Sequence, residues 1–311
     1  AMAKVVKINL STKKFLEEIR MEKIQQPVDL VISQATLWVG GHSVTSDGGH
    51  TENKAWIEVF QESELLDARD LGENVFLSKM AVSEEQVYLT GRSMVKKKQL
   101  ENLFLECMEL ENDAIQSLWS VVTRLDPQEK GIGGREVGTS LLPLSDGSVL
   151  VGGNFRKSWL LGEGGNKGKF AMLTASGQGM QNFDSFLARY DAEGNLIWAQ
   201  SSDLPGNDFL LSMASHDPDN ALVLGNRKID GGFGPYLTKV RLAENMEANS
   251  PFIELEAAKT EGFGEFSWNP PTTLRFGEPL DGAYFSARTL GKATFVYDLD
   301  EESTKHGDIP L

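Results

Sequence analysis

The stretch that decides the fold is DSFLARYDAEGNLIWAQ, residues 184–200. Apolar and aromatic side chains alternate through SFLARYD, a small polar turn follows, and the alternation resumes in NLIWAQ. Alternation at period two with aromatic residues is the signature of a half-buried or buried strand. The stretch therefore reads as strand, turn, strand. Weaker copies recur along the chain. SFLARYD is echoed by VVKINLS (5–11), AWIEVFQ (55–61), LFLECME (103–109), YLTKVRL (236–242) and TFVYDLD (294–300). The first four echoes lead through a turn into KFLEEIRM, ELLDARDL, IQSLWSVV and PFIELEAA, the counterparts of NLIWAQSS.

A second unit lies between these hairpins. Its five copies are VDLVISQATLWVGGHS, VFLSKMAVSEEQVYLTGRS, VGTSLLPLSDGSVLVGGNF, FLLSMASHDPDNALVLGNR and TLRFGEPLDGAYFSARTL. Their turns SDGS, DPDN and LDGA carry residues that tolerate tight backbone geometry. The second strand is expected to end on a glycine in four copies, Gly41, Gly91, Gly153 and Gly225, with Ala287 in the fifth. A small residue there lets backbones approach closely. The repeating unit is thus four strands, A to D, recurring about every 50 to 70 residues, a spacing that fits propeller blades with loop insertions. Five A–B units predict an all-β, five-bladed β-propeller spanning 1–311 as one domain. Strands in 1–24 are expected to close the ring, KFLEEIRM completing the last blade and leaving one C-like strand over. Residues 155–184 read as a long loop inserted in blade three.

The run DSFLARYDAEGNLIWAQ, continued by LPGND and DPDNALVLGN, resembles the bacterial β-propeller repeat family sometimes called SBBP. The resemblance covers 184–226 well and 136–154 in part. It implies an exported or surface-associated binding scaffold and names no ligand.

The chain has 311 residues, 40% of them hydrophobic, enough for a large core. Its formal net charge of −15 argues against nucleic-acid binding over the whole surface. The single cysteine, Cys107, excludes an intrachain disulfide and, in an alternating apolar stretch, reads as a buried small hydrophobe. No apolar run is long enough for a transmembrane segment. The opening AMA reads as a cloning scar. The expected location is extracellular, periplasmic or at the cell surface, an export signal having been removed, with the cytoplasm as the alternative.

In such blades the A–B and C–D turns lie on one face, and the B–C loops and D–A connections on the other. Here the A–B turns are short and the B–C loops vary, the 155–184 loop reaching about thirty residues. Variable loops on a rigid scaffold are where binding concentrates. The B–C loops are also net basic, through RSMVKKK (92–98), FRK, NKGK and NRK, while the opposite turns are acidic. The expected role is a non-catalytic binding or scaffold module for a protein or glycan partner, with an anionic partner as one option. Its candidate ligand-binding residues are Arg92, Asn154, Asn226 and Arg288, equivalent positions after strand B, together with Trp159 of the long loop. Their alternative role is to cap strand ends.

The enzyme alternative is a glycosidase-like propeller with channel carboxylates. Asp29, Glu136 and Asp208 each lie near the start of an A strand and would serve as acid and base. No cofactor is expected. No metal site is expected either: the histidines stand without ligand spacing, and DAEGN and DPDN read as hairpin turns rather than calcium loops.

Overall fold

The structure is a computed structural model. It describes residues 3–9, 14–47, 50–95, 100–123, 136–156, 158–161, 171–175, 182–202, 204, 206–229, 232–242, 252, 266–267 and 288–289. The chain forms two compact units, Ala1–Glu254 and Leu255–Leu311. None of the described residues is α-helical, and among them no helix is long and apolar enough to cross a membrane.

The first unit opens with a hairpin, β1 (Lys4–Asn9) paired antiparallel with β2 (Lys14–Arg20). The N-terminal C-like strand thus pairs with the D-like strand beside it, and the C-terminal one, TFVYDLD, lies outside the described residues. Four antiparallel sheets follow, each a meander in chain order. Sheet one holds β3 (Gln26–Ser33), β4 (Thr36–Asp47), β5 (His50–Gln61) and β6 (Glu64–Glu73). Sheet two holds β7 (Val75–Ser83), β8 (Gln86–Val95), β9 (Leu100–Glu111) and β10 (Ala114–Val122). Sheet three starts with β11 (Val137–Pro143) and β12 (Val149–Phe155). A separate hairpin, β13 (Ser158–Leu161) with β14 (Ala171–Thr174), is inserted there. The sheet resumes with β15 (Asp184–Tyr190) and β16 (Leu196–Ser201). Sheet four shows three strands, β17 (Asp208–Asp217), β18 (Asn220–Ile229) and β19 (Gly232–Arg241). The expected fourth strand, PFIELEAA, lies outside the described residues except Phe252, whose N–H donates to the Ser201 carbonyl at 3.0 Å. In the second unit the described residues form one short pair, β20 (Phe266–Ser267) with β21 (Arg288–Thr289). The rest of the fifth A–B copy lies outside them.

One irregularity repeats in every sheet. The first strand bulges at the same place: between Pro27 and Asp29, Leu77 and Lys79, Gly138 and Ser140, and Leu210 and Ser212. A bulge puts two residues opposite one and bends the strand across its partner. The residue beside it in the second strand is the repeating glycine: Gly41, Gly91, Gly153 or Gly225. A Cβ at Gly91 would stand 2.0 Å from the Phe76 carbonyl oxygen, and one at Gly153 2.0 Å from that of Val137. At Gly41 and Gly225 the carbonyls of Gln26 and Phe209 would be met at 2.5 Å. The glycines were expected to mark where strands leave the sheet. Instead the strands run on past them, and the bulged backbone opposite is what forbids a side chain.

The sheets stack face to face. First strands lie side by side, β3 against β7, β7 against β11, and β11 against β17. Because side chains alternate, each strand feeds two different cores. In β9, Leu103, Leu105 and Cys107 join the core shared with sheet three, while Phe104 and Met108 join the one shared with sheet one. In β15, Phe186, Ala188 and Tyr190 face sheet two, and Leu187 faces sheet four. All seven residues of DSFLARY are buried for this reason. Arg189, the motif's one cation, is satisfied by Asp146, by Ser148 Oγ at 3.0 Å and by the Leu242 carbonyl. Each seam also balances volume. Leu77 and Met80 of sheet two fill the space a side chain at Gly40 would take, and Leu210 and Met213 of sheet four do so at Gly152. Between sheets two and three the small partner changes sides: Thr90 packs on Gly138.

The inserted hairpin is anchored by Leu161, Ala171 and Leu173, which are buried in the core between sheets two and three. The β1–β2 hairpin covers part of sheet one, where Ile19, Met21 and Ile24 pack on Val39 and Phe60. The buried Glu58 carboxylate fixes that docking. It accepts the N–H groups of Glu22 and Ile24 at 2.9 Å each, and that of Lys23 as well.

Candidate functional site

The B–C end of sheets two and three is where the structure gathers charge. Arg92 sits in β8 one residue beyond the bulge-facing Gly91, in register with Phe76 on one side and Leu103 on the other. Its guanidinium lies 4.9 Å from the centre of the Phe76 ring. Nη1 is 3.3 Å from Glu101 Oε1 on the neighbouring strand. Arg92 and Glu101 are diagonal neighbours on one face, a pairing that strand geometry allows for long side chains. Glu101 is nearly buried, yet 35% of the Arg92 side chain remains exposed. Alternation turns this face towards sheet three, as it does for Leu103 and Leu105.

Glu136 meets it from that sheet. Its N–H donates to the Glu101 carbonyl at 3.0 Å, a link repeated at Asn74 with Asn53 and at Asp208 with Phe183. Glu136 is fully buried, and neither of its carboxyl oxygens has a hydrogen-bond partner. Burial, with the Glu101 charge as a second cause, pushes its pKa up to about 8.

The other two candidate acids are engaged in the scaffold. Asp29 pairs with Lys79 at 2.9 Å and accepts the Met80 N–H at 2.9 Å, tying sheet one to sheet two. Asp208 is buried, accepting the Ser185 N–H at 2.7 Å and the Ser202 hydroxyl at 2.8 Å. Burial outweighs these bonds and raises its pKa to about 6. The three acids stand at three separate seams.

Of the expected ligand-binding residues, Asn154 is occupied: its Oδ1 accepts the Leu210 N–H at 2.8 Å across the seam to sheet four. Asn226 is half-buried, in register with Phe209 and Pro235. Trp159 lies in β13 opposite Leu173, and Arg288 lies in β21 opposite Ser267 in the second unit. The side chains of Trp159 and Arg288 lie outside the described residues. Glu101 and Phe76, which brace Arg92, were not singled out from sequence. The signal was present: in an antiparallel register Glu101 falls diagonally opposite Arg92.

Among the described residues no three His, Cys, Asp or Glu side chains gather as metal ligands. Cys107 is buried, and burial pushes its thiol up to about 12. DAEGN and DPDN are turns whose carboxylates are used locally. Asp191 accepts the N–H groups of Glu193 at 3.1 Å and Asn195 at 2.7 Å, and Asp217 that of Asp219 at 2.9 Å. Compared with known proteins, the chain matches no family model and no curated sequence.

Proposed function

We propose that the chain is a non-catalytic binding module on a five-bladed β-propeller, holding an acidic glycan or acidic protein surface on its B–C/D–A face. Side-by-side first strands support the propeller, since inner strands of successive blades are neighbours. The two end faces support closure. Leu237 is 66% exposed, whereas its equivalents Ile57, Leu105 and Leu187 are 0% exposed beneath the next sheet. Leu30 is 48% exposed, whereas its equivalents Met80, Leu141 and Met213 lie at 1%, 6% and 9%. Faces of this kind are what neighbouring blades bury in a propeller. The five A–B copies of the sequence set the count of blades. The resemblance to the bacterial propeller repeat supports the same class and an exported or surface setting.

Arg92 carries the binding reading. Its guanidinium is oriented by Glu101 and Phe76 yet still presents a third of its side chain at the loop end. A braced arginine recognises carboxylate or sulfate at little entropic cost. The glycosidase alternative has less behind it, because Asp29 and Asp208 are committed to seams. A screen of the purified protein against neutral and acidic glycans, at low and moderate salt, tests the proposal. Salt-sensitive binding to acidic glycans, lost in Arg92→Ala, is the expected result. Absence of glycan binding at low salt overturns the glycan reading and leaves a scaffold for a protein neighbour.

A further inference from the structure

Glu136 has no role in the site as described, yet its carboxyl is fully buried at the same end of the sheets. A buried carboxyl normally carries hydrogen bonds. Neither oxygen of Glu136 has one, and the charge that acts on it is another carboxylate, Glu101, which Arg92 also meets. The charged groups on the strands packed against β11 near this end are few. β9 brings Glu101, and β8 brings Arg92, bound to it. β7 brings Lys79, paired with Asp29, and β17 brings Asp208, held by Ser185 and Ser202. β12 has no titratable side chain. Further along β9, Glu106 belongs to the opposite face, where Arg69 pairs with it at 2.8 Å. Glu109 and Glu111 of β9, and His216 and Asp217 of β17, lie towards the turn end. Among the described residues of these strands, the link from Glu136 to Arg92 runs through Glu101, whose charge acts on Glu136 and whose carboxylate meets Arg92.

We propose that Glu136 is a proton-controlled switch on Arg92: neutral, it leaves Arg92 braced by Glu101 and open to an anion, and ionised, it adds a second carboxylate to the seam and weakens anion binding. The inference rests on the reading of Arg92 as the anion contact. Its direction follows from charge alone. A carboxylate formed in a low-dielectric seam lowers the potential felt by an incoming anion. By linkage, a bound anion makes Glu136 hold its proton more tightly. The pKa near 8 places the change between pH 7 and 9.

The sign for stability is fixed by the same shift. The folded value lies above the ordinary carboxylate value of 4.5, so the folded state holds the proton longer. Stability therefore declines as pH rises from the unfolded value through about 8.

The experiment has two readouts on the full chain. The first is the denaturation midpoint against pH from 5 to 9, for the parent protein and for Glu136→Gln. The parent is expected to lose stability across this range, and the variant to lose far less. Identical profiles overturn the proposal. The second is binding of a heparin oligosaccharide, whose sulfates stay charged throughout, at pH 6.5 and 9 and fixed salt. The parent affinity is expected to fall about fivefold, and that of Glu136→Gln to change by less than about twofold. An equal fall in both proteins overturns the switch but leaves Arg92 as the contact. No heparin binding at either pH overturns the binding reading itself, and the stability profile still shows whether Glu136 titrates. Glu136→Met, similar in length and apolar, is the second variant should the amide fail to fold.

Discussion

Sheet two and sheet four are built on the same plan, with the same bulge, the same glycine and the same alternation. Yet Leu105 of sheet two is sealed beneath a neighbouring sheet, while Leu237, at the equivalent position of sheet four, is open. The same contrast separates Met80 of β7 from Leu30 of β3. Strand chemistry alone does not set burial; the presence of a next sheet does. Each end face carries leucines where interior seams carry leucine, isoleucine or methionine, so both ends are patterned for a neighbour.

The largest expected effect probes that contrast directly. Leu105→Ala should cost about 3 kcal/mol, the usual range for emptying a packed site. With a closing sheet in place, Leu237→Ala should cost about 2 kcal/mol. A Leu237→Ala midpoint in urea within about 0.5 kcal/mol of the parent would mean that the face is open in solution, and closure would be lost.

Next in size is the glycine set. Gly91→Ala forces a Cβ against the Phe76 carbonyl and should cost about 2–3 kcal/mol. Gly225→Ala should cost less, because its first contact is the Tyr236 ring and the carbonyl stands further off. Equal losses at the two positions would indicate that sheet four is as constrained as an interior sheet.

The smallest effect supplies a baseline away from any seam. Glu62 and Ser63 take successive left-handed conformations, φ 47° and 75°, in a two-residue turn that ordinarily favours Asn-Gly. Replacing them with Asn and Gly should raise stability by about 1 kcal/mol. Thermal or urea unfolding reads it, and a loss instead of a gain would show that these side chains serve the acidic turn face.

Much of the fold was legible in the chain. The A, B, C and D strands of sheets one to three, and A, B and C of sheet four, fall on the segments marked by period-two alternation. Registers within hairpins follow, because short turns leave little freedom. In the polar 43–53 stretch, the pairs of β4 and β5 continue out to Asp47 with His50. Polar residues can extend a hairpin where neither face needs burial, and period alone does not reveal it.

The site was less legible. Arg92 stood out as a cation following strand B, but its bracing by Glu101 and Phe76 depends on cross-strand register. Asn154 occupies the equivalent position and is instead consumed by the Leu210 N–H of the next sheet. Asp29, Glu136 and Asp208 look alike as acids near the start of an A strand. They differ in what each meets: a lysine, a buried seam without donors, and a serine pair.

The sequence by itself determined the repeat, the strand order and the positions where only glycine would serve, because alternation and turn chemistry act over a few neighbouring residues. The tertiary structure decided why those glycines are needed, which acids are spent and which one is stranded. Those outcomes depend on groups brought in from other strands, such as the Phe76 carbonyl at Gly91 and the Met80 amide at Asp29, and no local pattern records what will arrive from there.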